Sequence, residues 1–113
     1  MMKLELVKEV NKQYGDAMTV IQAYRIGAYE VEVQTNTYQD GAEWRNIQVR
    51  KDSSARFLPD VYFDNGSEND KPDRFIIQTS GYGSMDPDGI REVIAGYEQA
   101  MAVVECLTVE FVK

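Results

Sequence analysis

Side-chain chemistry starts from nucleophiles, bases and metal ligands, and this chain is short of all three. It has no His, which removes imidazole acid–base catalysis, His-activated nucleophiles and imidazole metal ligands. Its one thiol, Cys106, has no second Cys for a disulfide or a thiolate zinc site. At helical spacing Cys106 falls with Ala95 and Ala102, a row of small residues that reads as packing. Carboxylates are plentiful, but abundance alone does not set the spacing that paired acid–base work needs. No catalytic residue, cofactor or metal ion is therefore assigned, and the chain reads as non-catalytic.

Two local patterns approach a known ligand chemistry and miss it. The run holding Asp60, Asp64, Asn65, Glu68, Asp70 and Asp73 offers the oxygen ligands that calcium takes. With Gly66 at the central glycine of an EF-hand loop, however, Val61 and Pro72 would stand at the first and last ligand positions. The run reads instead as a solvated loop. Gly81-Tyr82-Gly83 precedes a helix, as a dinucleotide-binding loop does, but Asp86 stands where the third glycine is required. Asp86 and Asp88 also place negative charge where a phosphate would sit.

Binding is the stronger expectation. Residues 44–58 hold Arg45, Arg50, Lys51 and Arg56 against Asp52 alone, a local charge of +3 in a chain of −7. An exposed aromatic and basic sheet surface can stack and neutralise single-stranded nucleic acid. Pairing of those cations with Glu30 and Glu32 on a neighbouring strand is the simpler use. Trp44, Arg45, Arg50 and Tyr62 are the expected contact residues on a sheet face left half uncovered. The expected partner is a protein or a second copy of the chain, with Ala95, Ala102 and Cys106 allowing close helix approach in a homodimer. Single-stranded nucleic-acid binding through 44–58 is the first alternative. A small-ligand or enzyme site between the sheet and the C-terminal helix is the second.

Bulk properties agree with a small soluble protein. The 113 residues suit one α+β domain over 1–113. An excess of acid disfavours general binding to nucleic acid and to anionic membranes. No run of 18 apolar residues suggests a membrane span. The charged start Met1-Met2-Lys3-Leu4-Glu5 is unlike a secretory signal, and one free Cys suits a reducing cytoplasm.

The elements that must position these residues are read from periodicity. Leu6, Val7, Val10 and Tyr14 recur at near-helical spacing, which predicts a short helix over 3–14 closed by Gly15. Thr19-Val20-Ile21 favours a strand. Tyr29, Val31, Val33, Thr35 and Thr37 alternate with polar residues, as do Ile47 and Val49 against Trp44, Gln48 and Arg50, so two strands flank a turn at Asp40-Gly41. Val61-Tyr62-Phe63 pairs with Phe75-Ile76-Ile77 in a further hairpin. Asp86-Pro87 starts a long helix with Ile90, Val93, Ile94, Tyr97, Met101 and Val104 as its apolar stripe. Residues 107–111 either extend that helix or add a strand. The sum is an antiparallel sheet of four to five strands, with a short N-terminal and a long C-terminal helix packed on one face.

Overall fold

The computed structural model describes residues 2–64 and 73–112. In chain order the elements are β1 Glu5–Tyr14, β2 Ala17–Ile26, β3 Tyr29–Thr37, β4 Glu43–Lys51, β5 Asp60–Asp64, β6 Arg74–Gln78 and α1 Pro87–Phe111. β1 to β4 form an antiparallel meander in that spatial order, and β5 with β6 forms a second, two-stranded sheet. Among the described residues the fold is α+β, with a four-stranded main sheet and one helix.

Residues 3–14 do not form the expected N-terminal helix. Glu5–Tyr14 is a strand paired with Ala17–Ile26 along its whole length. Val7, which breaks the alternation of a strand, is taken up in a register shift between Leu6 and Lys8, where a bulge adds one residue to the edge. Gly15 does have positive φ, at 59°, but it serves a hairpin turn rather than a helix cap. Gly27 has φ 57° and plays the same part between β2 and β3. Each is the first residue of a two-residue turn, the position where a type II′ hairpin needs Gly.

Register then fixes the two faces of the sheet. Ile26, Tyr24 and Gln22 stand opposite Tyr29, Val31 and Val33, and Val31 and Val33 stand opposite Val49 and Ile47. Ile26, Tyr29, Val31, Val33 and Ile47 form one core cluster with Ala100, Val103 and Leu107 of α1 and with Leu58, Val61 and Phe75. The helix therefore covers the face bearing Tyr29, Val31, Val33 and Ile47. The other face, which carries Arg25, Glu30, Glu32, Gln34, Asn36 and Trp44, is open.

α1 begins as its sequence dictates. The Asp86 carboxylate accepts from the Gly89 N–H at 2.8 Å, and Pro87 needs no partner in the first turn. The helix runs on to Phe111, so 107–111 is not a strand. The expected stripe is rotated, however. The buried row is Gly96, Ala100, Val103 and Leu107, while Ile90, Ile94 and Met101 are exposed. The cause is a close approach of backbone to helix. A Cβ on Gly96 would lie 2.4 Å from the Phe57 carbonyl oxygen, so the smallest residues turn inward and the larger ones turn out. Phe57 itself has φ 57°, a conformation that costs a bulky residue about 1–2 kcal/mol.

Helix and sheet are staggered. The Gln99 side chain accepts from the Ala28 N–H in the β2–β3 turn at 2.9 Å, and the Phe111 carbonyl meets Arg45 on β4. The first half of α1 therefore overhangs the sheet and packs on the β5–β6 hairpin. The other end of the sheet, holding the β1–β2 and β3–β4 turns, projects beyond the helix. The radius of gyration is 16.5 Å with a long axis of 57 Å, against about 13 Å for a compact chain of this length.

Candidate binding surface

The open face is built from the alternate residues of four strands, and its rows follow from the register. Nearest the projecting end, Tyr14 stands opposite Ala17, and alternation beyond Thr37 puts Tyr38 in the same row. The next row is Lys12, Thr19, Asn36 and Trp44, and the third is Val10, Ile21, Gln34 and Asn46. Strands lie about 4.8 Å apart, so Tyr14 and Tyr38 are separated by about 10 Å across the sheet, with Trp44 one strand further on.

These rows combine aromatic planes with amides and hold one charge, Lys12. Tyr14, Tyr38 and Trp44 are 58, 38 and 50 % exposed. Between them Ala17 and Thr19 are buried although no helix covers this face, because the large neighbours shade the small ones. The Thr19 hydroxyl donates to the Asn36 carboxamide oxygen at 2.8 Å, and Gln34 donates to the same oxygen at 3.4 Å. Asn36 is thus held in place at the centre of the patch. Rigid aromatic area with few rotatable bonds, set among hydrogen-bonding amides, is the composition of protein recognition surfaces.

The other end of the open face is ionic. Arg25 and Arg50 stand on either side of Glu30 in the register, and Arg25 pairs with Glu30 at 3.3 Å. Arg50 donates to Gln48 at 3.3 Å. A small cleft of about 60 Å³ lies among Ala23, Glu30, Glu32, Gln48 and Arg50, too small for a ligand of drug size. Glu30 is thus paired from β2 by Arg25 rather than by a cation of 44–58 as expected; Arg50 turns to Gln48 and Lys51 to Asp60.

The four expected contact residues are not gathered into one site. Trp44 and Arg50 share the open face but are six residues apart on β4, about 20 Å. Arg45 lies on the helix face, where its guanidinium donates to the Phe111 carbonyl at 2.8 Å. Tyr62 is exposed on the β5–β6 hairpin. Arg56 stacks over Phe57, 5.1 Å from the ring centre. The segment 44–58 is thus distributed over both faces of the sheet and the following loop. Tyr14, Tyr38, Asn36 and Lys12 were not singled out in the sequence. The signal for Tyr14 is present once 5–14 is read as a strand, since Val10, Lys12 and Tyr14 then alternate with Asn11 and Gln13.

Elsewhere the surface carries shallow grooves. One, of about 410 Å³, runs along the outer side of α1 past Met2, Ala102, Cys106 and Val109 and is open to solvent. Ala95 is exposed and Ala102 and Cys106 are partly so, and Cys106 packs at the edge of the core cluster. Most of the acidic run 60–73 lies outside the described residues. Asp60 is 3.7 Å from Lys51 and Asp64 is 3.3 Å from Arg74. Among the described residues no group of three or more Cys, Asp or Glu is placed to hold a metal ion, and no helix is long and apolar enough to cross a membrane.

No family model, curated protein or solved structure matches this chain.

Proposed function

We propose that the protein is a non-catalytic binding module and that it recognises a protein partner through the projecting end of the open sheet face. The observation that carries this reading is the gathering of Tyr14, Tyr38 and Trp44 on one uncovered surface, with Asn36 held between them. Tyr and Trp are the residue types that dominate interface energetics, because each supplies a large contact area at little cost in rotamer freedom. A surface with Lys12 as its one charge suits a neutral or mildly acidic partner segment, whereas an excess of seven negative charges over the whole chain repels polyanions.

The test is selection from a random displayed-peptide library against the whole protein, followed by affinity measurements on variants. The selected peptides should lose at least tenfold in affinity for Trp44→Ala and Tyr38→Ala, and should bind Tyr62→Ala and Arg45→Ala as they bind the parent. Peptides that bind Trp44→Ala undiminished would place recognition elsewhere. A single-stranded oligothymidylate that binds the parent at low salt and loses affinity for Trp44→Ala would replace a protein partner with nucleic acid on the same surface.

A further inference from the structure

α1 carries a second apolar row beside the one it buries. Ile90, Ile94, Tyr97, Met101, Val104 and Thr108 recur at steps of four and three residues, the heptad spacing of a helix–helix seam. This row sits about 110° round the helix from the buried row, so it faces sideways; its inner edge is partly engaged, Val104 touching the core and the Tyr97 hydroxyl accepting from the Ser80 N–H. Along it Ile90, Ile94 and Met101 are 47, 51 and 50 % exposed. We propose that this seam is the interface of a reversible homodimer, with α1 packed antiparallel against α1 of a second copy about a twofold axis.

The seam is complementary to itself. With the axis level with residue 99, Ile94 meets the partner's Val104, Tyr97 meets the partner's Met101 and Ile90 meets the partner's Thr108, and twofold symmetry makes each contact twice. The flanking charges fit the same arrangement. Arg91 and Glu105 lie on one side of the row, almost equally spaced about the axis, so Arg91 comes beside the partner's Glu105 at both ends. Arg91 is largely exposed, bound within its own chain only to exposed Asp88. Glu98, close to the axis, is brought towards the partner's Glu98 and opposes association. The seam is about 28 Å long and about 10 Å wide, roughly 300 Å² of helix face per copy. A permanent interface takes about 800 Å² per partner, so the dimer is concentration-dependent.

Sedimentation velocity on the full chain, from about 10 μM to 1 mM, reads this directly. The weight-average mass should rise from that of one chain towards that of two. Ile94→Glu should weaken association at least tenfold, with circular dichroism and melting temperature unchanged because the residue is half exposed. Arg91→Glu alone should weaken it, the double variant Arg91→Glu/Glu105→Arg should restore it, and Glu98→Gln should tighten it. A parent chain that stays monomeric at 1 mM would overturn the proposal. So would a dimer that survives Ile94→Glu, or a double charge reversal that restores nothing. None of these readouts involves Trp44, so the result is independent of the docking surface proposed above.

Discussion

Arg45 and Trp44 are adjacent in the chain and point to opposite sides of β4, and their roles separate accordingly. α1 has no basic residue in its last turn, so the negative end of the helix is met from outside by the Arg45 guanidinium. Arg45→Ala should lower stability by roughly 0.3–1 kcal/mol in a urea melt, the range for a cation at a helix C-terminus, and should leave partner binding unchanged. Tyr29 is the other residue whose chemistry is structural. Its buried hydroxyl donates to the Pro59 carbonyl, tying β3 to the start of β5. Burial foremost, with Asp60 and Tyr82 adding to it, raises the Tyr29 phenol above its ordinary range; Tyr24 and Tyr82 shift the same way, also chiefly through burial. Below pH 10 these groups are protonated in both folded and unfolded chains and stability does not respond to them. Above about pH 10 the unfolded chain ionises first, so stability falls as pH rises towards the folded values. Urea melts between pH 8 and 11 should show that fall. Tyr29→Phe should cost about 1 kcal/mol at neutral pH from the lost hydrogen bond, and should flatten the alkaline slope. A slope unchanged in Tyr29→Phe would remove this residue from the account.

At the scale of elements, what the sequence disclosed depended on whether local signals and tertiary contacts agreed. β3 and β4 alternate cleanly because one face is buried and the other wet, and the Asp86-Pro87 start of α1 is set by local hydrogen bonding. β1 carries a false helical signal because Leu6, Val7 and Val10 match a helical spacing by accident. Pairing with β2 outweighs that spacing, and the bulge at Val7 absorbs the irregularity. A helical reading of 3–14 also hides the alternation that places Tyr14 on the same open face as Trp44. The buried face of α1 was hidden for a different reason. Hydrophobicity points to Ile90, Ile94 and Met101, whereas the close approach of the Phe57 carbonyl selects Gly96, and that contact joins residues 39 apart in the chain. Gly96→Ala tests this. In a free helix the change would stabilise by about 1 kcal/mol. Here the new methyl meets backbone, and overpacking of about 1–3 kcal/mol should win. A melting temperature that rises in Gly96→Ala would mean that the 57–58 segment yields easily and does not orient the helix.

The whole molecule is elongated because its two layers are offset, the helix overhanging one end of the sheet and the sheet overhanging the helix at the other. Charge follows the same division. Asp86, Asp88, Glu92, Glu98, Glu105 and Glu110 line α1 and its cap against Arg91 alone, while the open face carries Lys8, Lys12, Arg25 and Arg50 against Glu5, Glu30 and Glu32. The net acidity of the chain therefore lies in the helix layer and in the acidic run 60–73 rather than on the open sheet face. A dimer formed through the sideways seam of α1 would leave both open faces uncovered and present two docking surfaces, which raises avidity for a multivalent partner without any new contact. Docking on the projecting end of the open face, as proposed, can be read residue by residue through amide shift mapping of the isotope-labelled protein with a selected peptide. Shifts should concentrate at Lys12, Thr19, Asn36, Trp44 and Asn46, with α1 and the β5–β6 hairpin unmoved; shifts centred on α1 or on Tyr62, with the Trp44 indole and the Asn36 amide unchanged, would place docking elsewhere.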